Sequence, residues 1–386
     1  MCSSDLLHDV KELDAPDRAL TLTAQDFDAV NPNTGAAPIF RTQRDADITT
    51  AIYRRQPVFV DRRPEAQGLP AKKVWPVRYV RMFDMTNDSN LFMTRAALEQ
   101  QGWYPVAGNR WKKGAQEAVP LYVGRMIHQY DHRSAHVTVN DENLHNAALS
   151  NTLSETEKTD PNRFPTPQYW VSSDSVPEPL RFPWAIGFRD IARATDARTM
   201  IVAVIPTTAA GNTLPILAPD GENAMLTSFA TNLLANLNAL VFDYVTRQKT
   251  QSTHVNWYIV EQLPLIIPEQ FEAKIGKTKI ADFVRGEVLR LSYTAWDLQP
   301  FAKDLGYDGP PFVWDEDDRR HRKARLDALF FQLYGIGKDD AAYILDTFPI
   351  VREKDKALFG RYLTKDLILA YMNALAAGDT ESVITP

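Results

Sequence analysis

The apolar positions of the chain fall into three regimes. In residues 45–55 (DADITTAIYRR), Ile48 and Ile52 stand four apart and basic residues close the segment, which predicts a short helix. From Trp75 the pattern becomes strand-like. WPVRYVRMF and PLYVGRMIHQYDH are extended candidates, and GWYPVAGNRWKKG predicts a hairpin turning at Ala107–Gly108–Asn109. WAIGFRDIARATDARTMIVAVIP supplies a strand, a polar turn and an apolar β-branched strand at Met200–Ile205. Glu222–Arg247 is the clearest helix, because Leu226, Phe229, Leu233, Leu237, Leu240 and Tyr244 recur at spacings of three and four. STHVNWYIVEQLPLIIP reads as a strand stopped by proline, and the chain beyond Pro268 reads as mostly helical. In the DEDDRRHRKAR segment, acids precede bases as the helix dipole favours.

These patterns predict a mixed α/β fold. Residues 1–74 read as a leader and helical linker, with an irregular NPNTGAAP stretch and a linker-like DRRPEAQGLPAKKV. Residues 75–270 form an α/β domain in which a mixed sheet carries the 222–247 helix, with a polar, proline-bearing excursion at 140–180. Residues 271–386 form a mainly helical C-terminal region.

Composition narrows the function classes. Cys2 is the one cysteine among 386 residues, which excludes a disulfide scaffold and a cysteine zinc cluster. The N-terminal segment has no basic-then-apolar pattern and no apolar run nears ~18 residues, so a cytoplasmic protein without a membrane partner is expected. The net charge of −6 disfavours nucleic acid only if charge is evenly spread, and it is not. Residues 41–81 carry ten Lys/Arg against four acids, and residues 110–133 carry five against two. A surface that tracks a phosphate backbone depends on such local density. Arg41, Arg44 and Lys113 are the expected phosphate contacts.

Several enzymatic motifs fail on chemistry. Gly276-Lys277-Thr278 resembles the end of a phosphate loop, but Phe271 stands where the first glycine is needed. His128, His132 and His136 are four apart, yet an extended segment spreads them over ~26 Å, too far for one ion. Asp220 with Glu272 and Lys274 matches a magnesium-nuclease pattern by letters alone. Gly309-Pro310-Pro311-Phe312 looks like the catalytic motif of amino-group DNA methyltransferases, whose first residue must hydrogen-bond the base amine. Glycine lacks the side chain to do so, and a methyl-donor loop is missing too.

Two polar turns point elsewhere. Arg189, Arg193 and Arg198 surround the turn in GFRDIARATDART, and Lys249, Gln251, Thr253, His254 and Asn256 follow the 222–247 helix. Arg, Asn and Gln can read base edges through paired hydrogen bonds, while Lys and Thr suit phosphates. The same residues also fit solvated loops with structural Arg–Asp pairs. Arg125, His128 and Arg133 form the reserve candidate surface.

A family resemblance weighs on this choice. PIFRTQRDADITTAIYRRQPVF, VRMFDMTNDSNLF, GRMIHQYDHR, GFRDIARATDARTMIVAVIP, NTLPIL, LLANLNALVFDYVTRQKTQSTHVNWYIVEQLPLIIP, GYDGPPFVWDEDDRR and LYGIGKDDAAYILDTFPIVREKD occur in this order between Asn31 and Met372. They resemble the C-terminal, target-recognition half of large adenine-specific DNA methyltransferases of restriction-modification and BREX-like phage-defence systems. The resemblance implies that residues 75–270 are a DNA target-recognition domain acting on double-stranded DNA. It implies no catalytic, cofactor or metal residues here, with S-adenosylmethionine held by a separate methyltransferase portion or subunit, and other defence proteins as further partners. A stand-alone magnesium nuclease and a protein-interaction scaffold of a defence complex are the alternatives.

Overall fold

The computed structural model describes residues 22–35, 40–138, 149–177, 183–220, 225–250 and 252–385. Most of the acidic leader and Gln251 lie outside the described residues. Helix α1 (Ala24–Val30) opens on a capping box between Thr23 and Asp26, and Asp26 pairs with Arg54 at 2.7 Å. Arg54 belongs to α2 (Gln43–Arg55), which begins two residues before the expected start because Thr42 caps it through Asp45 N. Ile48 and Ile52 are buried on its inner face. The linker-like stretch that follows folds into a minimal antiparallel pair, β1 (Val60–Asp61) with β2 (Lys72–Lys73).

The next elements are β3 (Val77–Val80), α3 (Arg95–Gln100), β4 (Tyr104–Val106), β5 (Arg110–Lys113) and β6 (Gln116–Tyr122). The β4–β5 hairpin turns where expected, with Gly108 at φ 75° and Asn109 at φ 58°, the left-handed geometry these residue types tolerate. The expected polar excursion holds β8 (Leu149–Thr152), paired with β7 (Ala135–Thr138), and then α4 (Glu155–Thr159) and β9 (Trp170–Ser172). Next come β10 (Trp184–Phe188), β11 (Val202–Pro206), β12 (Ala209–Ala210) and β13 (Ile216–Pro219).

Two sheets result. The first is antiparallel in the order β11-β10-β13-β3. The second runs β12-β6-β5-β4, with β9 also on β6, and is mixed because β12 pairs parallel to β6. Residue parity sorts the first sheet into two faces. Ile186, Val202, Val204 and Leu217 join the main core, while Ala185, Ala203, Ile205 and Ile216 pack with Tyr122 and Met126. With both faces covered, the strand near residue 200 needs no polar alternation, which is why its sequence is an unbroken apolar run.

The expected 222–247 helix is two helices, α5 (Met225–Asn238) and α6 (Leu240–Lys249), broken at Ala239 with φ −65° and ψ 142°. The apolar spacing runs through the break, so periodicity could not reveal it. Polar contacts hold it instead. The Asn238 side chain donates to Val202 O at 2.9 Å and accepts from Val202 N at 3.0 Å. The expected strand after it is also revised. Residues 257–260 form a helical turn, α7 (Trp257–Val260), and Ile259 in it is buried together with Val255 before it and Leu263 after it, four apart. Extended pairing begins only afterwards, where Phe59 N donates to Leu263 O and Leu265 N to Pro57 O.

The chain then forms the small pair β14 (Lys274–Ile275) with β15 (Thr278–Lys279) around Gly276. A side chain at Gly276 would lie 2.4 Å from Gly378 O, so this glycine serves close packing in a turn. The helices α8 (Ile280–Ser292), α9 (Gln299–Asp304), α10 (Glu316–Leu333), α11 (Lys338–Asp346), α12 (Pro349–Phe359) and α13 (Leu363–Ala376) make the expected helical C-terminal region. One apolar core joins Ile52, Val202, Leu234, Phe330 and Leu375, so neither 74/75 nor 270/271 is a gap in packing. Among the described residues, no helix is long and apolar enough to cross a membrane.

Asn238→Ala leaves the buried N–H of Val202 unpaired, at about 1–3 kcal/mol, while its C=O keeps the bond from Tyr130 N at 3.1 Å. Urea unfolding should therefore register a loss of about 1–3 kcal/mol, whereas Lys354→Ala on the exposed side of α12 stays within about 0.5 kcal/mol. Equal midpoints for the two variants would refute this account of the break.

Candidate nucleic-acid interface

The two polar turns expected to carry recognition meet at one end of the first sheet. Ile191 and His254 form an antiparallel bridge. Ala192 N donates to Thr253 O at 3.1 Å and Val255 N donates to Asp190 O at 2.7 Å. The 189–199 segment stays in register with the sheet because Arg189 N donates to Ile201 O at 2.9 Å. The turns are thus fixed to each other by backbone hydrogen bonds.

The side chains on this junction differ in what they are free to do. Arg193 is exposed, and its guanidinium has no hydrogen-bonded or ionic partner among the described residues. Thr253 is exposed and Asn256 half-buried, with no partner for the Asn256 carboxamide among the described residues. His254 is 46% exposed and its Nδ1 lies 3.0 Å from an Asp190 carboxylate oxygen, which orients the ring. Arg189 is half-buried. Its Nε has no hydrogen bond, burial lowers its pKa, and its stem lies over Gly124, where a Cβ would come within 3.2 Å of Cγ. The sequence reading missed the apolar part of this face. Ile191 and Tyr258 are exposed large side chains, and Tyr79 of β3 stacks on Trp257 with ring centroids 5.2 Å apart. Reading HVNWYIV as alternating strand, instead of a helical turn, concealed Trp257 and Tyr258.

Other candidate residues are built into the fold. Arg198 is buried, pairs with Asp243 at 2.6 Å and donates to Asn238 O. Arg133 is fully buried and donates to the carbonyls of Lys158 at 2.8 Å, Asp160 at 2.8 Å, Arg163 at 2.9 Å and Thr294 at 2.9 Å. Lys249 donates to Val30 O at 2.5 Å and Asn31 Oδ1 at 2.6 Å, and burial pushes its pKa down to about 7. Arg44 pairs with Asp340 at 2.9 Å and lies over the Tyr343 ring. Arg125 is half-buried and already engaged within the chain. Arg41, Lys113 and His128 are exposed without a side-chain hydrogen bond or ion pair among the described residues.

The discarded motifs are likewise accounted for. His132 is buried with Nε2 2.8 Å from Asp297, and His136 accepts from Thr166 N at 2.9 Å. Asp220 pairs with Lys73, and Glu272 with Lys279 at 2.5 Å. Phe312 stacks on Tyr307 at 4.9 Å and carries Arg290 over its ring. Among the described residues, no group of three or more His, Cys, Asp or Glu is placed to hold a metal ion. Neither the models of known protein families nor the curated proteins include a match to this chain.

Arginines of the two kinds should separate in unfolding experiments. Arg133→Ala removes a charge from a fully buried set of carbonyl acceptors and should cost at least about 3 kcal/mol or prevent folding. Arg193→Ala should change stability by less than about 0.5 kcal/mol. A stable Arg133→Ala protein would show that its carbonyl partners find other donors.

Proposed function

We propose that this protein recognises a DNA sequence, and that the 189–193 and 252–256 junction reads it. The supporting observation is the Ile191–His254 bridge, which puts Arg193, Thr253, His254 and Asn256 on one rigid edge. A bidentate guanidinium suits guanine and a carboxamide suits adenine, while exposed Ile191 and Tyr258 suit thymine methyls and sugars. Asp190 fixes the His254 ring, so less ordering is needed on binding. Arg41 and Lys113 supply sequence-independent attraction to phosphates. The resemblance of the ordered sequence blocks to the target-recognition half of large adenine-specific methyltransferases supports the same reading. On it, S-adenosylmethionine and catalysis belong to a methyltransferase portion or subunit acting with this chain. The nuclease alternative is weakened because Asp220 and Glu272 are each paired with a lysine.

Affinities for cognate and scrambled duplexes test this proposal. Arg193→Ala and Asn256→Ala should each cost ~1–3 kcal/mol on the cognate site and little on scrambled DNA. Arg41→Ala and Lys113→Ala should weaken both duplexes together and lessen the salt dependence. An unchanged cognate-to-scrambled ratio in both Arg193→Ala and Asn256→Ala removes the junction from recognition. The isolated chain should show no heat of binding with S-adenosylmethionine and no methyl transfer to DNA. Methyl incorporation would reveal a catalytic site within the chain.

A further inference from the structure

His254 is fixed through both its backbone and its ring. Its N–H donates to Ser252 Oγ at 3.2 Å, and its carbonyl accepts from the same hydroxyl at 3.1 Å. On the other strand, Ala192 N donates to Thr253 O and Asp190 O accepts from Val255 N. These two bonds flank the Ile191–His254 bridge. Ile191 and His254 are therefore a non-hydrogen-bonded antiparallel pair, with Cα atoms ~4.5 Å apart and side chains on one face. The ring is oriented by Asp190, whose Oδ2 lies 3.0 Å from Nδ1. Asp190 is itself held, because its N–H donates to Thr213 O at 3.1 Å and its side chain is only 16% exposed.

This geometry sets the polarity of the exposed side of the ring. A carboxylate can only accept, so the proton of the neutral imidazole sits on Nδ1. Nε2 then carries a lone pair, and it has no partner among the described residues. The Arg193 guanidinium on the same edge only donates, and exposed Ile191 does neither. In the major groove, the groups that can donate to such an acceptor are the N6 amine of adenine and the N4 amine of cytosine. Ile191 separates the two. Adenine pairs with thymine, whose C5 methyl suits an apolar side chain, whereas cytosine pairs with guanine, whose acceptors do not.

On the DNA-reading role proposed above, on which this step rests, we infer that His254 and Ile191 together read one A·T base pair. His254 Nε2 accepts from the adenine amine and Ile191 covers the thymine methyl. Asp190 is a positioning residue that acts by fixing the tautomer.

Two measurements on the full chain test this, the first without DNA. Nitrogen NMR with label confined to the seven histidines is recorded at about pH 8, above the range in which free imidazole gains its second proton. His254 should be protonated at Nδ1 and bare at Nε2, with His254→Ala identifying its signals, and Asp190→Ala should let both tautomers appear. The second measurement starts from selection among randomised duplexes, in which His254→Ala should lose the preference at one A·T pair. At that pair, replacing adenine by unsubstituted purine removes the amine. Wild-type binding should weaken about fivefold and His254→Ala should not change. Replacing thymine by uracil removes the methyl, at a cost of about threefold in the wild type and nothing in Ile191→Ala. His254→Arg, which only donates, should turn the preference towards G·C. A proton found on Nε2 in the wild type overturns the inference. So does a selected site that wild type and His254→Ala bind equally well, while the losses in Arg193→Ala and Asn256→Ala still support the junction as the reader. A chain that selects no sequence removes the DNA-reading role and this inference with it, whatever the NMR shows.

Discussion

The carbonyl of Asn238 organises much of this molecule. It ends α5, receives Gln129 and Arg198, and belongs to the residue whose side chain completes the hydrogen bonding of Val202. Asn236 on the preceding turn accepts from Ile266 N at 3.0 Å and donates to the Tyr334 hydroxyl at 2.7 Å. Asp243, one turn into α6, receives Thr199 N and pairs with Arg198 and Arg247. Three polar side chains on a buried helix pair therefore tie a strand, a loop and α10 together. Each must be satisfied where it lies, because an unpaired polar group costs more in an apolar interior than a pair gains in water.

This constraint explains why arginine density misleads as a guide to ligand contact. Arg133, Arg198 and Arg247 belong to basic-looking segments, yet all three end on main-chain carbonyls. A guanidinium has several donors in a fixed fork, which suits the tail of a loop or helix whose carbonyls lack partners. Arg133 closes four carbonyls at once, from the 158–163 segment and from Thr294. The chain uses arginine here as a connector between irregular segments, and the charge is matched inside. Arg193 differs only in lacking such acceptors, and no property of the local sequence ARATDART separates it from Arg198.

What was legible followed from periodicity and turn chemistry. The hairpin at 107–109, α2 and the helical C-terminal region all rest on local rules, and all appear. The misses are where a distant partner decides. The α5–α6 break depends on Val202 and Asp327, which are far away in sequence, while the apolar stripe runs on undisturbed. Residues 255–263 carry a pattern compatible with both periods, and burial of Val255, Ile259 and Leu263 selects the helical one. The junction itself was half legible. Sequence named its polar residues, but the bridge between Ile191 and His254 is a long-range pairing that no local signal encodes.

Rigidity and charge balance together shape how such a junction can act. Its backbone continues the β10–β11 register through Arg189 N to Ile201 O, and Val255 N joins the second turn to Asp190 O. That lowers the ordering cost of binding and makes each side chain selective about geometry. The same edge carries Asp190 and Asp196, the latter accepting from Arg193 N at 2.9 Å, so its long-range attraction for an anionic polymer is small. A surface of this kind discriminates more strongly than it attracts. On the proposed DNA-reading role, attraction would come from unpaired cations outside it, as at Arg41 and Lys113, which would place affinity and specificity on separate parts of the molecule and let each change without the other.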